Sequence, residues 1–190
     1  VFRAFLDTVE TVAGSDVTVL LSGEIGSGKT VVARLLHDKS DRIAGPIVEV
    51  PIAAMSPSLV ESELFGHVKG AFTDARRERL GCFRRADGGT LVLESIDLMP
   101  LDVQVKLLRA IQERVVEPVG GEGPIPVDVR LIATSTADLE GLVEAGEFRE
   151  DLFYRLSVVP LVVPPLRTRL EDMEALVEIL LERLRPWSAY

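Results

Sequence analysis

The sequence of 190 residues contains little cysteine, histidine or aromatic side chain, and it has no long hydrophobic run. Its one cysteine, Cys82, cannot form an internal disulfide, so we expect a small core residue in a reducing cytoplasm. The histidines, His37 and His67, have no nearby cluster of metal-binding residue types, and we expect structural roles for both. No run reaches the roughly 18 apolar residues that a membrane helix needs, so no membrane contact is expected.

Positive charge is also scarce in this chain. Lysine and arginine total 21 and aspartate and glutamate total 30, which gives a formal net charge of −9. This balance argues against a broad nucleic-acid surface, so we expect any DNA to be bound by a domain outside this chain. The hydrophobic content of 47% is sufficient for one sizeable core, and the first residue is valine rather than methionine, which favours a piece of a longer protein.

One glycine-rich stretch fits the pattern G-x-x-x-x-G-K-[ST] at every fixed position. An apolar run at residues 17–21 precedes it, and residues 31–37 read as a helix, so strand, loop and helix follow in the order that a phosphate-binding loop requires. The alternative is a glycine turn without a ligand. We predict phosphate binding, with Lys29 on the β- and γ-phosphates and Thr30 on Mg²⁺. The predicted binding residues are Gly23, Glu24, Ile25, Gly26, Ser27, Gly28, Lys29 and Thr30.

Predicted strands alternate with predicted helices along the remaining sequence. The strands lie at residues 17–21, 47–50, 90–94, 129–134 and 158–163, and the clearest helices lie at residues 1–13, 100–113 and 148–156. This alternation is typical of an α/β fold whose parallel sheet is covered on both faces. Ligands bind such sheets at the carboxyl ends of the strands, so residues 23–30, 94–95 and 134–136 can share one nucleotide pocket.

Several motifs together resemble the AAA+ domain of the sigma-54-dependent transcription activators, which are bacterial enhancer-binding proteins. Residues 61–75, ESELFGHVKGAFTDA, match the family segment ESELFGHxKGAFTGA at all but one fixed position, and residues 86–91, 104–109, 148–156 and 164–167 match in order. The resemblance implies a three-layer P-loop AAA+ sandwich with a five-stranded, mostly parallel sheet. It places the AAA+ domain at residues 1–165 and the beginning of a helical lid at residues 166–190.

The same resemblance implies that the protein binds ATP and Mg²⁺ and couples hydrolysis to remodelling of the sigma-54 RNA polymerase holoenzyme. Such ATPases work as homo-oligomeric rings, here expected to be hexameric, in which Arg149 and Arg155 reach a neighbour's γ-phosphate. For both arginines the alternative is surface ion pairing with Glu150 or Asp151. The predicted sigma-54 contacts are Gly70, Ala71, Phe72, Thr73, Asp74 and Ala75.

The predicted contact segment, residues 70–75, contains one aromatic side chain and one departure from the family pattern. Phe72 and Thr73 are implied to lie at the tip of a loop that faces the ring pore, whereas without the resemblance a buried Phe72 would be the better interpretation. Asp74 stands where the family usually has glycine, which restricts the backbone and adds a negative charge to the proposed contact.

The catalytic motifs depart from the family pattern. The family ends its third strand with Asp-Glu, whereas this chain has Glu94 and Ser95. Glu94 can still bind Mg²⁺. A serine hydroxyl is a poor general base, and losing an effective general base typically slows a reaction roughly 10²- to 10⁴-fold. Pro51 replaces an asparagine that pairs with the base, and Ser135 and Thr136 replace the usual Thr-Asn of the first sensor. We therefore expect nucleotide binding to be better preserved than hydrolysis.

Three functions follow as hypotheses. The first is an ATP-driven motor that remodels the sigma-54 polymerase, and the second is a hydrolysis-deficient nucleotide-binding ring or interaction module with a regulatory role. The third is an unrelated P-loop enzyme such as a kinase, for which the sequence offers no acceptor-substrate site. Asp97 is the nearest acidic residue that could replace the missing base, although the sequence does not fix its place relative to the strand.

Overall fold

The computed structural model describes residues 2–72, 75–173, 177–178 and 181. The strands within them are β1 (Val19–Ser22), β2 (Ile47–Pro51), β3 (Gly66–His67), β4 (Arg79–Leu80), β5 (Thr90–Glu94), β6 (Val115–Val116), β7 (Ile125–Pro126), β8 (Arg130–Ser135) and β9 (Val159–Val162). Five of these strands form one parallel central sheet in the order β2-β5-β8-β1-β9. Short hairpins β3–β4 and β6–β7 lie outside this sheet.

Helices cover both faces of the sheet and make it the middle of three layers. The helices are α1 (Phe2–Ala13), α2 (Lys29–Asp38), α3 (Pro57–Phe65), α4 (Cys82–Arg85), α5 (Leu101–Glu113), α6 (Leu139–Glu144) and α7 (Glu150–Leu156). Along β1, Val19 and Leu21 pack in the cluster with α1 and α2, whereas Leu20 packs in the larger cluster on the other face. A strand buried on both faces reads as a continuous apolar run, which is what residues 17–21 show.

The structure confirms the predicted fold class and all five strands of the central sheet, and it shifts several boundaries. The predicted helix at residues 148–156 begins at Glu150, and Arg149 is its N-cap. Strand β2 continues through Pro51, which pairs with Glu94. A proline is tolerated there because β2 is an edge strand of the sheet. Helices α4 and α6 were not predicted, since both are short.

The cysteine and both histidines are buried in the structure. Cys82 is buried, as predicted for a core residue. His37 and His67 are buried and lie within hydrogen-bond distance of the hydroxyls of Thr90 and Ser62, as structural histidines do. No helix among the described residues is long and apolar enough to cross a membrane.

The predicted boundary between a domain at residues 1–165 and a lid at residues 166–190 stays a prediction. Two short 3₁₀ helices, Leu166–Thr168 and Leu170–Asp172, follow Pro165. Most of the predicted lid helix lies outside the described residues.

Candidate functional site

The glycine-rich loop connects the carboxyl end of β1 to the first turn of α2. Gly28, the N-cap of α2, adopts a left-handed conformation with φ of 94°. Gly23 has φ of 148°, and a Cβ there would lie 2.9 Å from the carbonyl oxygen of Val163. Both positions therefore need glycine, and the resulting turn leads into the positive end of the α2 dipole. Ile25, at 90% exposure, projects from the loop into solvent.

Lys29 closes this loop on its own backbone. Its Nζ donates hydrogen bonds to the carbonyl oxygens of Gly23 at 2.7 Å and Glu24 at 2.9 Å. Burial lowers the pKa of Lys29, and the charges of Asp97 and Glu94 oppose that shift. The ammonium group is thus surrounded by oxygen acceptors in the position from which it would reach a phosphate.

Thr30 and Glu94 meet beside this lysine although 64 positions separate them in the sequence. The hydroxyl of Thr30 donates a hydrogen bond to Oε1 of Glu94 at 2.8 Å. Both are oxygen ligands of the kind that Mg²⁺ prefers, and Mg²⁺ commonly takes one or two carboxylates together with phosphates and water. Within the described part of the chain, no cluster of three or more His, Cys, Asp or Glu side chains could hold a metal alone. The pair therefore fits a cation that arrives with a nucleotide.

Ser95 terminates β5 in a left-handed conformation, with φ of 58° and ψ of 54°. Its backbone N–H donates to Oγ1 of Thr134 at 3.2 Å. A 3₁₀ helix, Ile96–Leu98, follows directly. Left-handed backbone is uncommon for a serine, and it turns the chain sharply at the residue that stands in place of a general base.

This turn brings Asp97 to the carboxyl end of β8. Its Oδ1 accepts hydrogen bonds from Oγ of Ser135 at 3.0 Å and from the backbone N–H of Thr136 at 3.3 Å. Oγ1 of Thr136 lies 3.5 Å from Oδ2 of Asp97. Both predicted sensor residues thus contact a carboxylate whose place the sequence did not fix.

The two candidate finger arginines have different surroundings, and the structure records no contact of either with the phosphate loop among the described residues. Arg149 forms two hydrogen bonds with Asp151, at 3.0 and 2.7 Å, which is the ion pair weighed as an alternative. Arg155 is exposed and lines a cleft with Asp16 and Val158, at the amino ends of the central strands. The phosphate loop lies at the opposite, carboxyl edge.

The segment after Pro165 contacts the phosphate loop, which the sequence motifs did not indicate. The guanidinium of Arg167 donates two hydrogen bonds to the carboxylate of Glu24, at 2.5 and 2.7 Å. Arg169 donates to the carbonyl oxygen of Ser27 at 2.5 Å, and its guanidinium carbon lies 4.2 Å from the ring centroid of Phe2. Two arginines from the C-terminal part therefore hold the outer side of the loop.

The candidate contact loop projects from the β3–β4 hairpin. Phe72 is 41% exposed and lies edge-on to His67, with the ring centroids 4.9 Å apart. The alternative of a core phenylalanine in a helical turn is therefore wrong. The backbone N–H of Gly70 donates to the carbonyl oxygen of Ala75 at 2.8 Å, which closes the base of the loop. Of the predicted contacts, Thr73 and Asp74 lie outside the described residues.

A second loop supports this one from the side. The N–H of Val68 donates to the carbonyl oxygen of Val119 at 3.1 Å, and the N–H of Val119 donates to that of Gly66 at 2.9 Å. A Cβ at Gly120 would lie 3.0 Å from the Cβ of Ala71, so glycine allows the two loops to approach closely.

The chain is similar to known proteins of one family. A family model described as "Sigma-54 interaction domain" matches residues 1–162. The regulatory protein AtoC of Escherichia coli (strain K12) is 52% identical over 172 residues, covering 90% of this chain and 37% of AtoC. The transcriptional regulatory protein ZraR of Klebsiella oxytoca is 54% identical over 182 residues, covering 95% of this chain and 41% of ZraR. The chain thus spans about two fifths of the length of these relatives.

Solved structures are similar over almost the whole chain. The crystal structure of NtrX from Brucella abortus in complex with ATP has a TM-score of 0.90 and 38% identity, covering 98% of this chain and 40% of that one. An Escherichia coli P-loop NTPase domain of a sigma-54 transport activator has a TM-score of 0.58 and 20% identity, covering 87% of this chain and 95% of that domain, which shows the fold alone.

Proposed function

Because the chain belongs to the sigma-54 interaction domain family, we propose that it binds ATP with Mg²⁺ and uses the nucleotide to act on the sigma-54 RNA polymerase holoenzyme. The observation that carries this proposal is the 2.8 Å hydrogen bond between Thr30 and Glu94, beside the lysine of the phosphate loop. The similar NtrX structures in complex with ADP and with ATP support the choice of nucleotide.

Each residue of the pocket has a distinct task in this proposal. Lys29 exchanges its two backbone acceptors for phosphate oxygens, and the backbone amides of the loop and the start of α2 bind the remaining negative charge. Thr30 and Glu94 would hold Mg²⁺, which would supply positive charge next to the phosphates. Ser135 at the end of β8 and Thr136 directly after it lie at the carboxyl edge of the sheet, and we assign to them the detection of a bound γ-phosphate.

Ring assembly completes the site. Arg155 lies at the amino ends of the central strands, opposite the phosphate loop, and Arg149 is paired with Asp151. A finger arginine stabilises a phosphoryl group only at close range. We therefore assign them to the nucleotide of a neighbouring subunit in a homo-oligomer, a hexameric ring in the active state. Arg149 must leave Asp151 to act in this way.

The loop that carries Phe72 is the part that engages sigma-54. A half-exposed aromatic side chain on a glycine-flanked loop offers one anchor to a partner groove. His67 supports the ring from behind, and the neighbouring loop at Gly120 fixes its direction. The protein works in the bacterial cytoplasm, and any contact with DNA is assigned to a domain outside this chain.

Ser95 favours a second candidate function. A chain without an effective general base would bind ATP, assemble and contact sigma-54 without rapid turnover. This candidate retains every assignment above except hydrolysis, and phosphate release by the purified protein distinguishes the two.

The test measures nucleotide-dependent capture of sigma-54. The protein at its natural length is mixed with sigma-54 and an ATP transition-state analogue, and the complex is separated by native gel. We expect Phe72→Ala to abolish capture without weakening ATP binding, and Lys29→Met to abolish both. Leu98→Ala, a change at another exposed apolar residue, is the matched control and leaves capture intact. Normal capture by Phe72→Ala would refute the contact, and normal ATP binding by Lys29→Met would refute the pocket.

A further inference from the structure

The carboxylate of Asp97 is held firmly on one side. Its Oδ1 accepts a backbone N–H hydrogen bond from Thr136 and lies 3.0 Å from Oγ of Ser135, whose one hydroxyl hydrogen is shared with the carbonyl oxygen of Ala137 at 2.8 Å. A carboxylate has about four acceptor positions, two on each oxygen. Within the described residues, Oδ2 has one long contact of 3.5 Å, to the hydroxyl of Thr136. One oxygen of Asp97 is thus fixed, and the other keeps the capacity to accept a hydrogen bond.

This carboxylate lies at the edge of the sheet formed by the carboxyl ends of the strands. It lies at the carboxyl end of β8, and β8 is the neighbour of β1, from which the phosphate loop starts. Its negative charge also acts on the ammonium group of Lys29, as that of Glu94 does. Asp97 and the phosphate loop therefore lie at the same edge of the sheet, at the ends of neighbouring strands.

Two other side chains at this edge, Glu94 and Ser95, are unsuited to take a proton from water. Glu94 is engaged by the hydroxyl of Thr30, on the side assigned to the cation. Ser95 carries a hydroxyl, which is a poor base near neutral pH. Asp97 is the remaining carboxylate that acts on Lys29, and it is only half-buried, so a water molecule can reach it.

We propose that Asp97 is the general base of ATP hydrolysis in this chain, an inference that rests on the proposed ATP-binding function. Oδ2 of Asp97 takes one proton from a water molecule as the water oxygen bonds to the γ-phosphorus. The bond between the γ-phosphorus and the β–γ bridging oxygen breaks, and the products are ADP and inorganic phosphate. Ser135 and Thr136 orient the carboxylate through its other oxygen.

A purely structural role for Asp97 can be separated from a catalytic one. In Asp97→Asn, the amide oxygen still accepts hydrogen bonds from Ser135 and Thr136, but the side chain no longer takes a proton. An anchor for the sensor residues therefore survives this substitution, whereas a general base does not. Asp102→Asn is the matched control, because Asp102 is an exposed carboxylate in the first turn of α5.

The experiment uses the protein at its natural length and three readouts. They are the affinity for a fluorescent ATP analogue, the retention of ADP with aluminium fluoride as a transition-state mimic, and single-turnover phosphate release. For Asp97→Asn we expect unchanged affinity for the ATP analogue, weaker retention of the mimic, and phosphate release slowed about 10²-fold or more. Asp102→Asn behaves as the unmodified protein. Adding Ser95→Glu to Asp97→Asn restores release, because it supplies a carboxylate two residues before position 97.

Four results would overturn the assignment. Normal phosphate release by Asp97→Asn excludes a base at this position, and loss of ATP-analogue binding by the same variant indicates a structural role instead. An unmodified protein that binds the analogue but releases no phosphate excludes Asp97 while ATP binding stands. Failure of the unmodified protein to bind the analogue at all refutes the proposed function as well.

Discussion

Arg130 is the side chain whose replacement should most clearly destabilise the fold. It is 1% exposed at the start of β8. Its guanidinium donates to the carbonyl oxygens of Ala13 at 2.7 Å, Val12 at 3.1 Å and Leu36 at 3.4 Å. These carbonyls belong to the last turns of α1 and α2, where carbonyl oxygens lack N–H donors within their own helices. Arg130 thereby ties both helix ends to the sheet, and α2 is the helix that begins at the phosphate loop.

The loss in free energy of unfolding expected for Arg130→Met follows from these contacts. The carbonyl of Val12 keeps two hydrogen bonds from Ser15, so the substitution leaves the carbonyls of Ala13 and Leu36 without this donor. Each buried polar group that loses its partner costs about 1–3 kcal/mol. Methionine fills similar space and removes the cost of burying a charge, which offsets part of the loss. We expect the free energy of unfolding to fall by about 3 kcal/mol, which lowers Tm by about 6–12 °C for a chain of this size.

Urea and thermal denaturation monitored by circular dichroism measure this effect. Arg34→Met is the control, because Arg34 is an exposed arginine that pairs with Glu49 at the surface, and we expect no measurable change. If Arg130→Met lowered the free energy of unfolding by less than about 1 kcal/mol, the argument that buried helix-end carbonyls need this donor would be wrong.

Two further predictions concern stability. The hydrogen bonds from Arg42 hold the pKa of Asp16 below its usual range, so their contribution is present above the unfolded pKa of about 4 and is lost as pH falls through the lower folded value. The difference in free energy of unfolding between the unmodified protein and Asp16→Asn should therefore be largest near neutrality and disappear in strong acid, and an equal difference at both would contradict this. A Cβ at Gly89 would collide with the backbone of Pro46, whereas one at Gly14 meets no heavy atom within 4 Å. Gly89→Ala should be strongly destabilised in thermal melts while Gly14→Ala folds normally, and equal melting temperatures would refute the steric argument.

The sequence by itself determined the phosphate loop, the five strands and the fold class. Each of these depends on local chemistry: a fixed spacing of glycines and lysine at residues 23–30, or a short apolar run between turn residues. The motif order indicated the family, which the family model confirmed over residues 1–162. The phosphate loop and Glu94 were predicted to share a pocket because the carboxyl ends of parallel strands lie at one edge of a sheet.

Only the tertiary structure decided which distant residues meet at that edge. The left-handed turn at Ser95 places Asp97 against Ser135 and Thr136, 38 and 39 positions away. The contact of Arg169 with Ser27 spans 142 positions. Such contacts depend on strand order and on single backbone conformations, neither of which leaves a periodic signal in the sequence. Local patterns therefore predicted the phosphate-binding loop and named Asp97 as a candidate, whereas the contacts of Asp97 with the end of β8 emerged only from the packing of β5 against β8.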